Sequence, residues 1–262
     1  MHTRESQMQA FGRLLDVMDE LRAKCPWDKE QTNESLRPLT LEETYELSEA
    51  LLEKDSAEIS KELGDILLHI VFYAKIGAEK GQFDIEDVCE KLITKLVYRH
   101  PHIFGEVEVA DAREVEQNWE KLKLKEKDGN KSVLAGVPEA LPSMIKAFRM
   151  QDKARGVGFD WDHREQVWDK VQEEFNELMA EIDVMDTDKM ESEFGDLFFS
   201  LINAARLYQI NPDNALERTN QKFRSRFNYL EEKTFQQGRS LRSMTLEEMD
   251  VIWNEAKRIE IK

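Results

Sequence analysis

Apolar positions recur every three or four residues along much of the chain. Phe11, Leu14, Leu15, Met18 and Leu21 would share one face of a helix, as would Phe194, Leu197, Phe198, Leu201 and Ala205. Val167, Val171, Phe175, Leu178 and Ile182 form another such stripe, and Met144, Ile145, Phe148 and Met150 keep the spacing less regularly. No stretch alternates convincingly with the period of two that a half-buried strand requires. "DARE" (111–114) and "TLEE" (245–248) read as helix starts with a capping box. The pattern predicts an all-α chain built from helical bundles.

The polar positions between these stripes repeat. "LEETYE" (41–46) matches "EEFNE" (173–177) through Glu42/Glu173, Glu43/Glu174 and Glu46/Glu177. In both places a second acidic motif lies 19 residues further on: "ELGD" from Glu62 to Asp65 and "EFGD" from Glu193 to Asp196. "KLVYR" (95–99) answers "KFRSR" (222–226), "WEKLK" (119–123) answers "WNEAK" (253–257), and "CPWD" (25–28) answers "GFDWD" (158–162). Ordered matches at nearly constant offset indicate a duplicated unit, each copy a bundle of four or five helices. The expected organisation is a first domain over 1–126, a linker over 127–140 around the polar "KEKDGNKS", and a second domain over 141–262.

Helical geometry separates the glutamates. With Val171 at zero, Glu174 falls at about −60° and Glu177 at about −120°, beside Lys170 at about −100°, while Glu173 points away at about 160°. A hairpin turning about residue 185 sets 177 opposite 193 and 174 opposite 196. A turn about residue 54 does the same for Glu43, Glu46, Glu62 and Asp65. Four converging carboxylates next to an apolar core cannot all stay ionised and unpaired. An all-oxygen ligand set suits Mg²⁺, or Mn²⁺, and disfavours zinc. For Glu43 a competing role exists, as the closing residue of a Thr40–Glu43 capping box. Lys222 and Arg226, with Trp253 and Lys257, could balance the remaining charge and hold the phosphates and base of a nucleoside polyphosphate. Surface pairing with Glu217 or Glu231 is the alternative for the first two, and a core position for Trp253 and Trp119.

Composition narrows the choices. A net charge of −17 over 262 residues argues against nucleic-acid backbone binding. The longest apolar runs are too short to span a bilayer. Two cysteines, Cys25 and Cys89, and no apolar leader make a reducing cytoplasm the expected location.

"CPWDKEQT" (25–32), "LEETYE" (41–46), "ELGDILL" (62–68), "RHPHIF" (99–104), "VGFDW" (157–161) and "EFGDLFF" (193–199) together resemble the MazG proteins, the two-domain nucleoside triphosphate pyrophosphohydrolases of the all-α NTP pyrophosphatase superfamily. The resemblance covers essentially the whole chain. It implies a tandem of two four-helix-bundle-like domains packed as a homodimer, and Mg²⁺-dependent hydrolysis of varied nucleoside triphosphates to monophosphate and pyrophosphate. It implies metal ligation by Glu174, Glu177, Glu193 and Asp196, while the helical geometry favours Glu174 or Glu177 over Glu173 as the base. Nucleotide contacts would come from Lys170, Lys189, Lys222, Arg226, Trp253 and Lys257. The first copy keeps the matching residues Glu43, Glu46, Glu62, Asp65, Lys95, Arg99, Trp119 and Lys123. Ser192 stands where relatives often carry another glutamate. The alternative reading is a nucleotide-sensing regulatory dimer with little turnover.

Overall fold

A computed structural model describes residues 2–111, 114–115, 118–119, 122 and 132–260. Among these the chain is helical, with no strand. It divides into two compact units, Met1–Val109 and Ala110–Lys262. The division lies upstream of the polar stretch at 127–140.

The first unit contains α1 (Arg4–Lys24), α2 (Pro26–Glu30), α3 (Asn33–Glu53), α4 (Ser56–Glu79), α5 (Ile85–Arg99) and α6 (Pro101–Phe104). Helix α3 begins at a capping box in which Thr32 and Ser35 exchange side-chain-to-backbone hydrogen bonds. Thr40 therefore lies inside α3 and caps nothing. Its hydroxyl bonds back to the Leu36 carbonyl at 3.0 Å, as an interior Thr does, and meets the Tyr73 hydroxyl and His69 Nδ1. Glu43 is thereby released from the capping role that the sequence offered it. The turn from α3 to α4 passes through Lys54 in the left-handed region, φ 59°, after which Asp55 caps α4 by accepting from the N–H groups of Ala57 and Glu58. The core packs Met18, Leu36, Val71, Phe72 and Ile76 together, lined by Leu15, Leu39 and Tyr73. Burying each of these large side chains contributes roughly 1.5–3 kcal/mol.

The second unit contains α7 (Ser143–Gly156), α8 (Val167–Val184), α9 (Thr187–Leu207), α10 (Pro212–Gln236) and α11 (Leu246–Glu260). Helices α8 and α9 form a hairpin that repeats the first one. Met185 takes the left-handed position, φ 60°, and Asp186 caps α9 by accepting from the Lys189 N–H. On α8 the buried side is displaced from the centre of the apolar stripe. Val167, Glu174 and Leu178 are buried, while Phe175, on the opposite edge of the stripe from Glu174, is exposed. The helix is rolled so that a carboxylate faces inward and an aromatic ring outward. Helices α10 and α11 close on Leu230, Met244 and Ile252. A Thr245–Glu248 capping box starts α11, with the Thr245 N–H donating to Glu248 Oε2 at 2.9 Å and the Glu248 N–H to Thr245 Oγ1 at 3.3 Å. At the other expected box, Asp111 accepts from the Glu114 N–H at 2.9 Å.

Candidate active site

The α8–α9 hairpin brings one oxygen each from Glu174, Glu177 and Glu193 within 4.8 Å of one another. Glu174 is only 7% exposed. Lys170, one turn before it, binds Glu174 Oε1 at 2.8 Å and Glu173 Oε1 at 2.9 Å. These hydrogen bonds push the lysine's pKa up and keep it charged. Glu173 thus sits outside the trio, held at the surface by Lys170. Burial pushes the Glu193 carboxyl up, and the charges of Glu177, Asp196, Glu174 and Glu181 push it further. Its Oε2 is buried without a hydrogen-bond partner among the described residues. Asp196, one turn along α9, is exposed and lies beside Glu174 on the wall of a cavity rather than in the trio. Three carboxylates on rigid helices, one oxygen orphaned, and oxygen as the only donor type together suit a hard divalent cation.

The first hairpin gathers a related trio: Glu43, Glu62 and Asp65. Glu62 is 3% exposed, with Oε1 bound by Lys61 at 2.7 Å and Oε2 orphaned. Burial raises the Glu43 pKa, followed by the charges of Asp65, Glu46, Glu62 and Glu42. Glu46 acts on the trio electrostatically but stands outside it. Each hairpin therefore joins three of the four expected carboxylates.

The second trio has a feature that spacing did not reveal. Glu174, Asp196 and Lys170 form one end of a cavity of about 610 Å³, whose other walls include Gln151, Trp161 and Asn203. Its far side is set by Arg206, which donates to Asp160 at 3.1 and 2.5 Å and to Asn203 Oδ1 at 3.0 and 2.8 Å. Burial raises the Asp160 pKa, but hydrogen bonds from Arg206 and the Trp161 N–H outweigh it and hold the carboxyl below its ordinary value. Asp160 and Trp161 of this wall come from the "GFDWD" motif, which gave no sign that Gln151 or Asn203 would join them.

In the first unit the same layer is filled. Counting along α4 and α9 from the matched Glu62/Glu193 and Asp65/Asp196 pairs, His69 stands at the place of Ser200, Phe72 at that of Asn203 and Tyr73 at that of Ala204. Leu39 takes the place of Lys170. Phe72, with Met18 of α1, belongs to the buried core, and Leu39 and Tyr73 pack against it.

The remaining expected nucleotide contacts lie elsewhere. Arg226 stacks over Trp253 at 5.9 Å, and Trp253 packs against Phe223 at 5.2 Å between ring centres. Lys222 is exposed, Lys257 reaches Asn254 at 3.4 Å, and none of these four lines the cavity. Lys189 lies 3.6 Å from both Glu181 and Asp186. In the first unit Lys95 is exposed and Arg99 half-buried; Trp119, in the second compact unit, is half-buried too, and Lys123 lies outside the described residues.

Comparison with known proteins agrees with the duplication. The model of the MazG nucleotide pyrophosphohydrolase domain matches twice, at residues 31–104 and 163–230. The chain is 40% identical over 261 residues to the nucleoside triphosphate pyrophosphohydrolase of Escherichia coli (strain K12), covering 97% of this chain and 99% of that protein. It is 40% identical over 250 residues to the nucleoside triphosphate pyrophosphohydrolase/pyrophosphatase MazG of Thermotoga maritima, covering 94% and 95%. A 44% identical match to the uncharacterized protein YabN of Bacillus subtilis takes in 95% of this chain and 52% of that one. Two trios of carboxylates on two equivalent hairpins are thus the structural counterpart of two domain matches, and the chain belongs to the MazG nucleotide pyrophosphohydrolase family.

Proposed function

We propose that the second unit hydrolyses nucleoside triphosphates to nucleoside monophosphate and pyrophosphate, with Mg²⁺ (or Mn²⁺) held by Glu174, Glu177 and Glu193 and with Asp196 nearby. The carrying observation is the cavity of about 610 Å³ lined by Glu174 of this trio together with Asp196 and Lys170. A divalent ion, when bound, offsets phosphate charge and makes a water easier to deprotonate. Lys170, kept charged by its two glutamates, is placed to hold a phosphate oxygen. Glu174 is engaged by Lys170, so the exposed Glu177, with one oxygen toward the ion, has its second oxygen left to take a proton from the attacking water. That water adds to the α-phosphorus, the bond to the bridging oxygen breaks, and pyrophosphate departs. The cavity's size and mixed lining accord with a broad range of bases.

The filled interior of the first unit weighs against a nucleotide sensor there, which leaves that unit a structural role. Exposed aromatic side chains on α8, α9 and α10 (Phe175, Phe198 and Phe223) support a homodimer. Cys25 and Cys89 are both free, as suits a cytoplasmic protein, and no described helix is long and apolar enough to cross a membrane.

Purified protein with Mg²⁺ is expected to release pyrophosphate, and no orthophosphate, from nucleoside triphosphates. Glu177→Gln should lower kcat by roughly 10²–10⁴-fold with helix content unchanged by circular dichroism. Orthophosphate as the product rejects the reaction, and an active Glu177→Gln variant rejects the site.

A further inference from the structure

We propose that Gln151 and Asn203 form a two-amide reader of the nucleobase, one amide accepting and the other donating a hydrogen bond. The inference rests on the functional reading above and concerns the end of the cavity away from the carboxylates.

Each amide has its orientation imposed by a partner that cannot reverse its role. Gln151 Nε2 donates to the Phe199 carbonyl at 2.8 Å, and a carbonyl can only accept. The oxygen is therefore the free end of Gln151. The residue is 7% exposed, and this Oε1 is buried with no hydrogen-bond partner among the described residues. An amide oxygen left in that state is destabilising unless a donor arrives. Asn203 is set the opposite way. Its Oδ1 accepts two hydrogen bonds from Arg206, whose guanidinium can only donate, so Nδ2 is the free end. Arg206 is itself fixed by Asp160. The cavity is thus lined by residues that carry an unsatisfied acceptor on α7, which a small side-chain shift must uncover, and a donor on α9, both pre-oriented.

Their position suits a base. Asn203 lies two helical turns, about 10 Å, along α9 from Asp196. The cavity therefore runs from a phosphate-binding end, with Lys170, Glu174 and Asp196, to an amide end. Trp161 and Phe199 add apolar lining, as expected of a small-molecule pocket. Every common base carries a donor next to an acceptor on its Watson–Crick edge, in one order in adenine and cytosine and in the reverse order in guanine and uracil, so one fixed acceptor and donor engage the first two in one pose and the others with the base turned over. Such a reader tolerates any base but registers the loss of the edge. The first unit carries Phe72 in register with Asn203, and Met18 of its first helix belongs to the same buried cluster as that ring, so the Asn203 donor is missing there.

The test compares ATP, purine ribonucleoside triphosphate, which lacks the exocyclic amine donor, and ribose 5′-triphosphate, which lacks the base. Each is assayed for pyrophosphate release by the full chain with Mg²⁺. Wild type is expected to favour ATP over purine ribonucleoside triphosphate by about tenfold in kcat/KM, and over the base-free compound by more. Gln151→Met should cost about tenfold on ATP and little on purine ribonucleoside triphosphate, since the donor it serves is already gone. Asn203→Asp keeps the oxygen that holds Arg206 and replaces only the free donor. It should cost about tenfold on both, and little on ribose triphosphate. Equal loss on all three compounds, or a wild type indifferent to the base, overturns the reader while leaving the hydrolytic reading intact. If no compound yields pyrophosphate, the hydrolytic reading fails, and calorimetric affinities for the same three compounds decide the reader by the same ratios.

Discussion

At the scale of single residues, the arrangement depends on groups whose roles are fixed by neighbours. Lys170 holds Glu174, the Phe199 carbonyl holds Gln151, and Asp160 holds Arg206, which holds Asn203. The Asp160–Arg206 pair has a pH signature. Its carboxyl titrates below the ordinary Asp value in the folded chain, so the pair stabilises above that ordinary value. The contribution is lost as pH falls from there through the depressed folded value. Wild type is therefore expected to lose urea resistance between about pH 4 and lower values more steeply than Asp160→Asn, which should be less stable at neutrality by roughly 1–3 kcal/mol. Parallel pH profiles for the two proteins would exclude this account.

At the scale of elements, the two hairpins follow from the sequence with little ambiguity. Placing turns about residues 54 and 185 needs only the spacing of matched carboxylates, and Lys54 and Met185 are the residues found in the left-handed turn position. That position was hidden, because neither residue is the glycine that normally marks it. Left-handed backbone costs a residue with a Cβ roughly 1–2 kcal/mol, and the Met185 side chain is exposed and has little packing to lose. Met185→Gly is thus expected to raise stability by about 1 kcal/mol, seen as a higher urea midpoint at unchanged slope. A lowered midpoint would show that the methionine contributes more than its backbone strain. Other features were not legible. The start of α3 at Asn33 competed with a false signal at Thr40, since local Ser/Thr patterns recur inside helices. The cavity escaped notice because it depends on how α7 and the loop at 158–161 pack back on α9, and no helical period encodes that. Of Lys222, Arg226, Trp253 and Lys257 on α10 and α11, Arg226 and Trp253 meet, and the spacing was silent on whether any of the four reaches the carboxylates.

At the scale of the whole molecule, duplication has left one hairpin design with two interiors. Leu39, His69, Phe72 and Tyr73 stand in the first where Lys170, Ser200, Asn203 and Ala204 stand in the second, and of these Lys170, Ser200 and Asn203 line its cavity. The second unit also carries the exposed rings of Phe175, Phe198 and Phe223. If these rings bury against a second copy, the wild type sediments as a dimer at micromolar concentration, and Phe198→Glu with Phe223→Glu sediments as a monomer. A monomeric wild type removes the dimer from the proposal. The hairpins bear on how the chain reaches this state. Each joins helices that are neighbours in sequence, and contacts of that kind close at the lowest entropy cost and form early. The carboxylates lie on those same faces, so their mutual repulsion belongs to the barrier the chain climbs on folding. The repulsion persists in the folded hairpins, so a divalent cation held by either trio stabilises the finished protein by mass action as well as easing closure.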